Sequence, residues 1–152
     1  MDDLTALALN GFQEANLEPD DGFAAVCQVV LNRARLHYQS NGTIQGAIFW
    51  PNAFSWTGWE MVNGKYTRVA FTPDEEQARA TDLLARAQMY AGPWKRAMTI
   101  ASLVQGMGYH SPAFAKITPQ TVLYANLAIS HPNWALPQNE VVQIGHHTFY
   151  HA

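Results

Sequence analysis

The chain has 152 residues, 48% hydrophobic and 14% charged, a composition that folds and excludes intrinsic disorder. Its formal net charge of −3 runs against sequence-independent nucleic-acid binding, which depends on Lys and Arg neutralising phosphates, and no apolar run approaches the roughly 18–20 residues of a membrane span. The single Cys27 excludes an internal disulfide framework and a cysteine zinc site.

The length fits one domain, 1–152, with no repeat, linker or low-complexity segment. Residues 3–13 are predicted as a helix, with Leu4, Leu7, Ala8 and Gly11 at helical spacing and Asp2 or Asp3 as cap. Pro19 disfavours helix at Glu18, which places Glu14 at the end of that helix and Glu18 in a turn. A second helix follows over 20–37. Asp20 and Asp21 suit its positive N-terminus, and Phe23, Val26, Cys27, Val30, Leu31 and Ala34 form one apolar stripe. Cys27 is therefore read as a buried small hydrophobe.

Thr43 caps a short helix to Phe49, after a turn at 39–42. An irregular aromatic loop spans 50–58. Asn63-Gly64 predicts a hairpin between Trp59–Val62 and Lys65–Ala70. Thr72-Pro73-Asp74-Glu75 opens a helix that runs to Tyr90 and is expected to stop at Gly92. Another helix is predicted over 93–105. Short strands follow near 121–125, 140–144 and 147–150, with Gly145 as a turn or bulge. The predicted class is α+β, mostly α.

Two readings fit Glu14 on spacing alone. It is a solvated acid at a helix end, or a carboxyl reaching into an apolar cleft that holds its proton for general-acid work. As a solvated acid it sits at the helix's negative pole, where the dipole gives it nothing. Glu18, Asp20 and Asp21 serve as capping charges or supply a second carboxylate, as glycoside hydrolysis usually requires. The aromatic content (five Trp, six Tyr, seven Phe) suits either a heavy core or a ligand groove. Of six histidines, His146, His147 and His151 lie in the last seven positions, without H-E-x-x-H spacing or paired cysteines. No nucleophile elbow or phosphate-binding loop is present.

Four fragments in order carry a resemblance: Glu14-Ala15-Asn16-Leu17-Glu18 running into Val29-Val30-Leu31-Asn32-Arg33; Ala53-Phe54-Ser55-Trp56; Pro132-Asn133-Trp134; and Ile144-Gly145-His146-His147-Thr148-Phe149-Tyr150. They resemble the cell-wall hydrolase family of spore-cortex-lytic enzymes and phage endolysin relatives, whose catalytic fold is lysozyme-like. Departures are Ala53 where the family has Gln and Leu123 where it often has His. Residues 58–92 read as an insertion with its own hairpin and helix.

The resemblance implies cleavage of the β-1,4 bond between N-acetylmuramic acid and N-acetylglucosamine, by lytic-transglycosylase chemistry in characterised relatives. It matches Glu14 to the family's first acid, as general acid/base, and leaves Glu18 as a candidate second acid. Trp56, Tyr124, Trp134 and Tyr150 are the expected sugar-groove aromatics, Ser55 and Asn126 the expected hydrogen-bonding groups, and His147 a further groove residue. No cofactor or metal is expected. The expected partner is the peptidoglycan glycan strand, with no nucleic acid and no stable membrane association, and the expected state is a monomer. The acidic start Met1-Asp2-Asp3 lacks a signal peptide's basic opening, so synthesis in a host cytoplasm and action on the wall as an endolysin are expected. Two rivals stand: a metal-dependent peptidoglycan amidase or peptidase using His110, His131, His146 or His147, and a non-catalytic glycan-binding phage module.

Overall fold

A computed structural model describes residues 1–152, the side chain of Tyr66 excepted. Helix α1 spans Asp3–Ala15, opened by the Asp2 side chain accepting a hydrogen bond from the Thr5 amide at 2.7 Å. Helix α2, Asp20–Leu36, starts after extended Pro19, carries Asp20 and Asp21 in its first turn, and closes on left-handed His37. It is buried on more than one face: Phe23, Val26, Cys27, Val29 and Val30 are all fully enclosed. That exceeds the single predicted stripe, because α1, α5, α3 and β3 all pack on α2. Gly11 makes one crossing work. A Cβ there would lie 2.5 Å from two atoms of the Phe23 ring, so only glycine lets the ring reach the α1 backbone.

Helix α3 is Ile44–Ile48, capped by Thr43 as predicted. Strands β1 (Trp59–Val62) and β2 (Lys65–Arg68) form an antiparallel hairpin through Asn63-Gly64, both at positive φ. Strand β2 ends two residues earlier than predicted. Helix α4, Pro73–Gln88, has a full capping box between Thr72 and Glu75. Helix α5, Ala91–Gln105, takes Gly92 into its first turn. Gly92 is thus a start residue and not the stop; Met89 is still right-handed helical, and the break falls at Tyr90, where the chain leaves helical geometry.

Strands β3 (Thr121–Ala125), β4 (Glu140–Ile144) and β5 (His147–His151) make an antiparallel sheet of order β3-β5-β4. A register irregularity sits in each pairing. The sheet joins the helices through β3 on α2. Asn32 secures that joint by donating to the carbonyls of Thr118 and Thr121 at 3.0 and 2.9 Å. The architecture is α+β and mostly α, as read from the sequence. Among the described residues no helix is long and apolar enough to cross a membrane.

Candidate active site

Helix α1 runs two residues beyond its predicted end, so Glu14 lies in its last turn on rigid backbone. Its carboxyl meets two segments distant in sequence. Oε1 accepts from the Ser55 amide at 3.2 Å and the Ser55 hydroxyl at 2.9 Å. Oε2 accepts from the Tyr124 hydroxyl at 3.0 Å. The aromatic loop is registered against α1 by a second contact one helical turn back, where Trp56 Nε1 donates to Asn10 Oδ1 at 2.8 Å. Adjacent loop residues thus read α1 positions four apart.

Opposed effects act on the Glu14 carboxyl. Burial raises its pKa and dominates; the bonds from Ser55 and Tyr124 and the nearby Arg33 charge oppose it. The net direction is upward, toward a carboxyl that keeps its proton. The Tyr124 hydroxyl is pushed well above its ordinary value by burial and then by the Glu14 charge, so it stays a donor.

Arg33 ties the site together; the sequence placed it in a family-like fragment but gave it no site role. It is 4% exposed. Its Nε donates to the Val122 carbonyl at 2.7 Å, another guanidinium nitrogen reaches the Ala53 carbonyl at 3.4 Å, and the guanidinium lies 4.9 Å from the Phe54 ring centroid. One side chain on α2 therefore holds β3, which carries Tyr124, and the loop that carries Ser55. The available signal was a cation at position 33, on the face carrying Val26 and Val30 in a helix otherwise read as core.

Glu14 opens onto a cleft of about 600 Å³. Ser55, Tyr124, Asn126, Trp134 and His147 line it, together with Arg33, Asn52, Phe54, Trp59 and Arg68. Asn126 Oδ1 also accepts from the Ala128 amide, which shapes the turn after β3. The His147 ring stands 4.9 Å from the Tyr124 ring. Burial lowers its basicity, partly offset by Glu18.

Three expected site residues lie elsewhere. Trp56 is 6% exposed, spent on Asn10 and on an edge contact to Phe49, so it is core and not groove. Tyr150 is 2% exposed and packs with Val122, Leu123 and Trp134. Strand alternation turns it away from the side of β5 that carries His147 and Phe149. Glu18 is not among the described residues lining the cleft. Its carboxylate is folded under the β4–β5 turn, where it accepts from the His146 amide at 2.9 Å, meets His146 Nδ1 at 2.9 Å and lies 3.4 Å from His147 Nδ1. Asp20 pairs with Arg96, and Asp21 accepts from the Tyr109 hydroxyl. Cys27 is fully buried and its thiol is pushed up by that burial, as a core residue. Among the described residues no group of three or more His, Cys, Asp or Glu side chains is placed to hold a metal ion.

A family model described as Cell Wall Hydrolase matches residues 17–150. The matched span begins just after Glu14 and includes Arg33, Ser55, Tyr124 and His147. Neither the curated proteins nor the solved structures yield a match. The family match runs from the turn before α2 to the penultimate residues of β5, across most of the fold described above, and on that ground the chain belongs to the cell wall hydrolase family, as an enzyme acting on cell-wall peptidoglycan.

Proposed function

We propose that the enzyme is a glycosidase that cleaves the β-1,4 bond between N-acetylmuramic acid and N-acetylglucosamine, with Glu14 as general acid and then general base. The observation that carries this reading is the half-buried Glu14 carboxyl, raised by desolvation, gripped on both oxygens, and opening onto the cleft. Glu14 gives its proton to the glycosidic oxygen as the C1–O bond breaks. The leaving sugar departs as an alcohol, and positive charge develops at the muramic carbon. Glu14, now a carboxylate, is stabilised by the Ser55 and Tyr124 donors and then takes a proton from the attacking hydroxyl. Desolvation favours the acid form at the start, and the three donors limit the cost of the charged form that follows.

The finer reading is a lytic transglycosylase. Glu14 is the one carboxylate among the described residues lining the cleft, with Glu18 withdrawn under the β4–β5 turn. That supports a mechanism in which the substrate's own N-acetyl group stabilises the cation and its own 6-hydroxyl attacks, giving a 1,6-anhydro product. Mass spectrometry of fragments released from purified peptidoglycan by wild type and Glu14→Gln tests both levels. Anhydro-muramic ends from wild type and none from the variant are expected. Reducing muramic ends would replace the transglycosylase with a muramidase. Full activity in a folded Glu14→Gln variant would overturn the glycosidase assignment to Glu14. The endolysin role is proposed with it and is tested by expression in a bacterium with and without a membrane-opening holin, where lysis is expected only with the holin.

A further inference from the structure

Beside the cleft lies a second cavity of about 420 Å³, within the usual size of small-ligand sites. It forms where the segment read from the sequence as an insertion, 58–92, meets residues 49–57, with apolar walls from Phe49, Val69 and Phe71. Asn52 and Arg68 line both cavities, so the two share a wall. The Arg68 guanidinium is stacked 5.4 Å from the Trp59 ring centroid, itself a cleft residue. The second cavity also contains a carboxylate of the opposite sign, Glu76. That carboxylate pairs with Arg79 at 3.4 Å, and Arg79 also donates to the carbonyls of Trp56 and Trp59. Burial raises the Glu76 carboxyl.

An apolar chamber with a cation on the shared wall and an acid inside fits a short peptide with small apolar side chains, a carboxylate and an amine. The glycan strand itself offers neither ammonium nor methyl-rich peptide. The stem peptide on its muramic residues does, since it combines alanine methyls, a glutamate carboxylate and commonly a diamino acid. The stem leaves the muramic ring through its lactyl ether, close to the bond that Glu14 would cleave. We infer that the cavity between residues 49–52, the end of β2 and the start of α4 is a stem-peptide subsite continuous with the cleft, so that the enzyme selects peptide-bearing over bare glycan. This rests on the glycosidase reading above.

The test compares uncrosslinked glycan strands carrying stem peptides with the same strands after an amidase has removed them. Wild type is expected to cleave the peptide-bearing strand with a kcat/KM about tenfold or more higher, the size of one charge-assisted contact. Ala70 and Gln77 are exposed residues lining this cavity and not the cleft, on different segments. Ala70→Trp and Gln77→Trp, each checked for folding by its thermal transition, are expected to erase that preference while keeping the rate on bare glycan. Equal cleavage of both strands by wild type, or a preference intact in both filled variants, overturns the inference. Glu14→Gln is run on both strands: activity there means the Glu14 reading has failed instead. A free stem tetrapeptide titrated into Glu14→Gln, read by the Trp50 indole resonance, decides the subsite independently of turnover. A shift abolished by Ala70→Trp supports it, and no shift at millimolar peptide overturns it.

Discussion

Replacing Arg33 by methionine tests how the site is held. The side-chain stem stays, so packing changes little, while the charge and both hydrogen bonds go. The bond from Nε to the Val122 carbonyl is 2.7 Å long and buried, and such a charge-assisted bond is worth about 1.5–3 kcal/mol. The longer contact to the Ala53 carbonyl adds little. The guanidinium at 4.9 Å from the Phe54 centroid adds roughly 0.5–2 kcal/mol. Relief from burying a cation returns part of this. The expected net loss is about 3 kcal/mol, read from urea denaturation, with a fall in Tm of about 10 °C for a chain of this size. A second readout is independent of stability. The Arg33 charge holds the Glu14 carboxyl down, so its removal moves Glu14 further up and carries the basic limb of the pH–rate profile to higher pH. A stability loss below about 1 kcal/mol would refute the bridging role. An unmoved basic limb would refute the electrostatic one.

Glu14→Gln is expected to stabilise the protein at neutral pH, by an amount of order 1 kcal/mol. The folded carboxyl is raised, so its ionised form costs stability above the raised value and nothing below the unfolded one. Wild type therefore loses stability as pH rises through that window and the variant does not; a difference independent of pH, measured by denaturation at pH 4 and 7.5, would contradict this. Gly11→Ala drives a methyl to 2.5 Å from the Phe23 ring. Overpacking of about 1–3 kcal/mol exceeds the helix-propensity gain of about 1 kcal/mol, so a loss of roughly 1–2 kcal/mol is expected by chemical denaturation, and a stabilised variant would show the ring yields freely. Glu18→Ala is expected to cost about 1–3 kcal/mol through the lost His146 bond while leaving the product type unchanged. Abolished turnover in a folded Glu18→Ala protein would return Glu18 to the chemistry.

The helices and strands were legible because their signals are local. Thr43 and Thr72 cap where caps were read, and Asn63-Gly64 turns where a hairpin was read. The site was legible only in part. A tryptophan carries the same letter whether it stacks a sugar or packs a core. Trp56 is core because Asn10, 46 positions earlier, waits for its indole, and nothing near Trp56 says so. Tyr124 and Tyr150 part ways through strand register: Tyr124 pairs opposite Phe149, whereas Tyr150 pairs opposite Leu123. Glu18 resembled a second acid until the β4–β5 turn, 128 positions later, closed on it. Arg33 was hidden because a cation inside an apolar face announces a partner without naming it.

The order of the three-stranded sheet bears on when the enzyme comes into being. Helix α1, bearing Glu14, is built from local contacts. Its partner Tyr124 lies 110 positions further on. The strand carrying Tyr124 pairs not with β4, the next to emerge, but with β5, which takes the central place. No stable sheet exists until β5 inserts between its neighbours, so the most distant contacts of the molecule close last. A nascent chain lacking β5 carries its acid on a finished helix with one side of the cradle missing. Closure of the sheet and closure of the cleft are then a single folding event, and the acid has no complete cradle until β5 is in place.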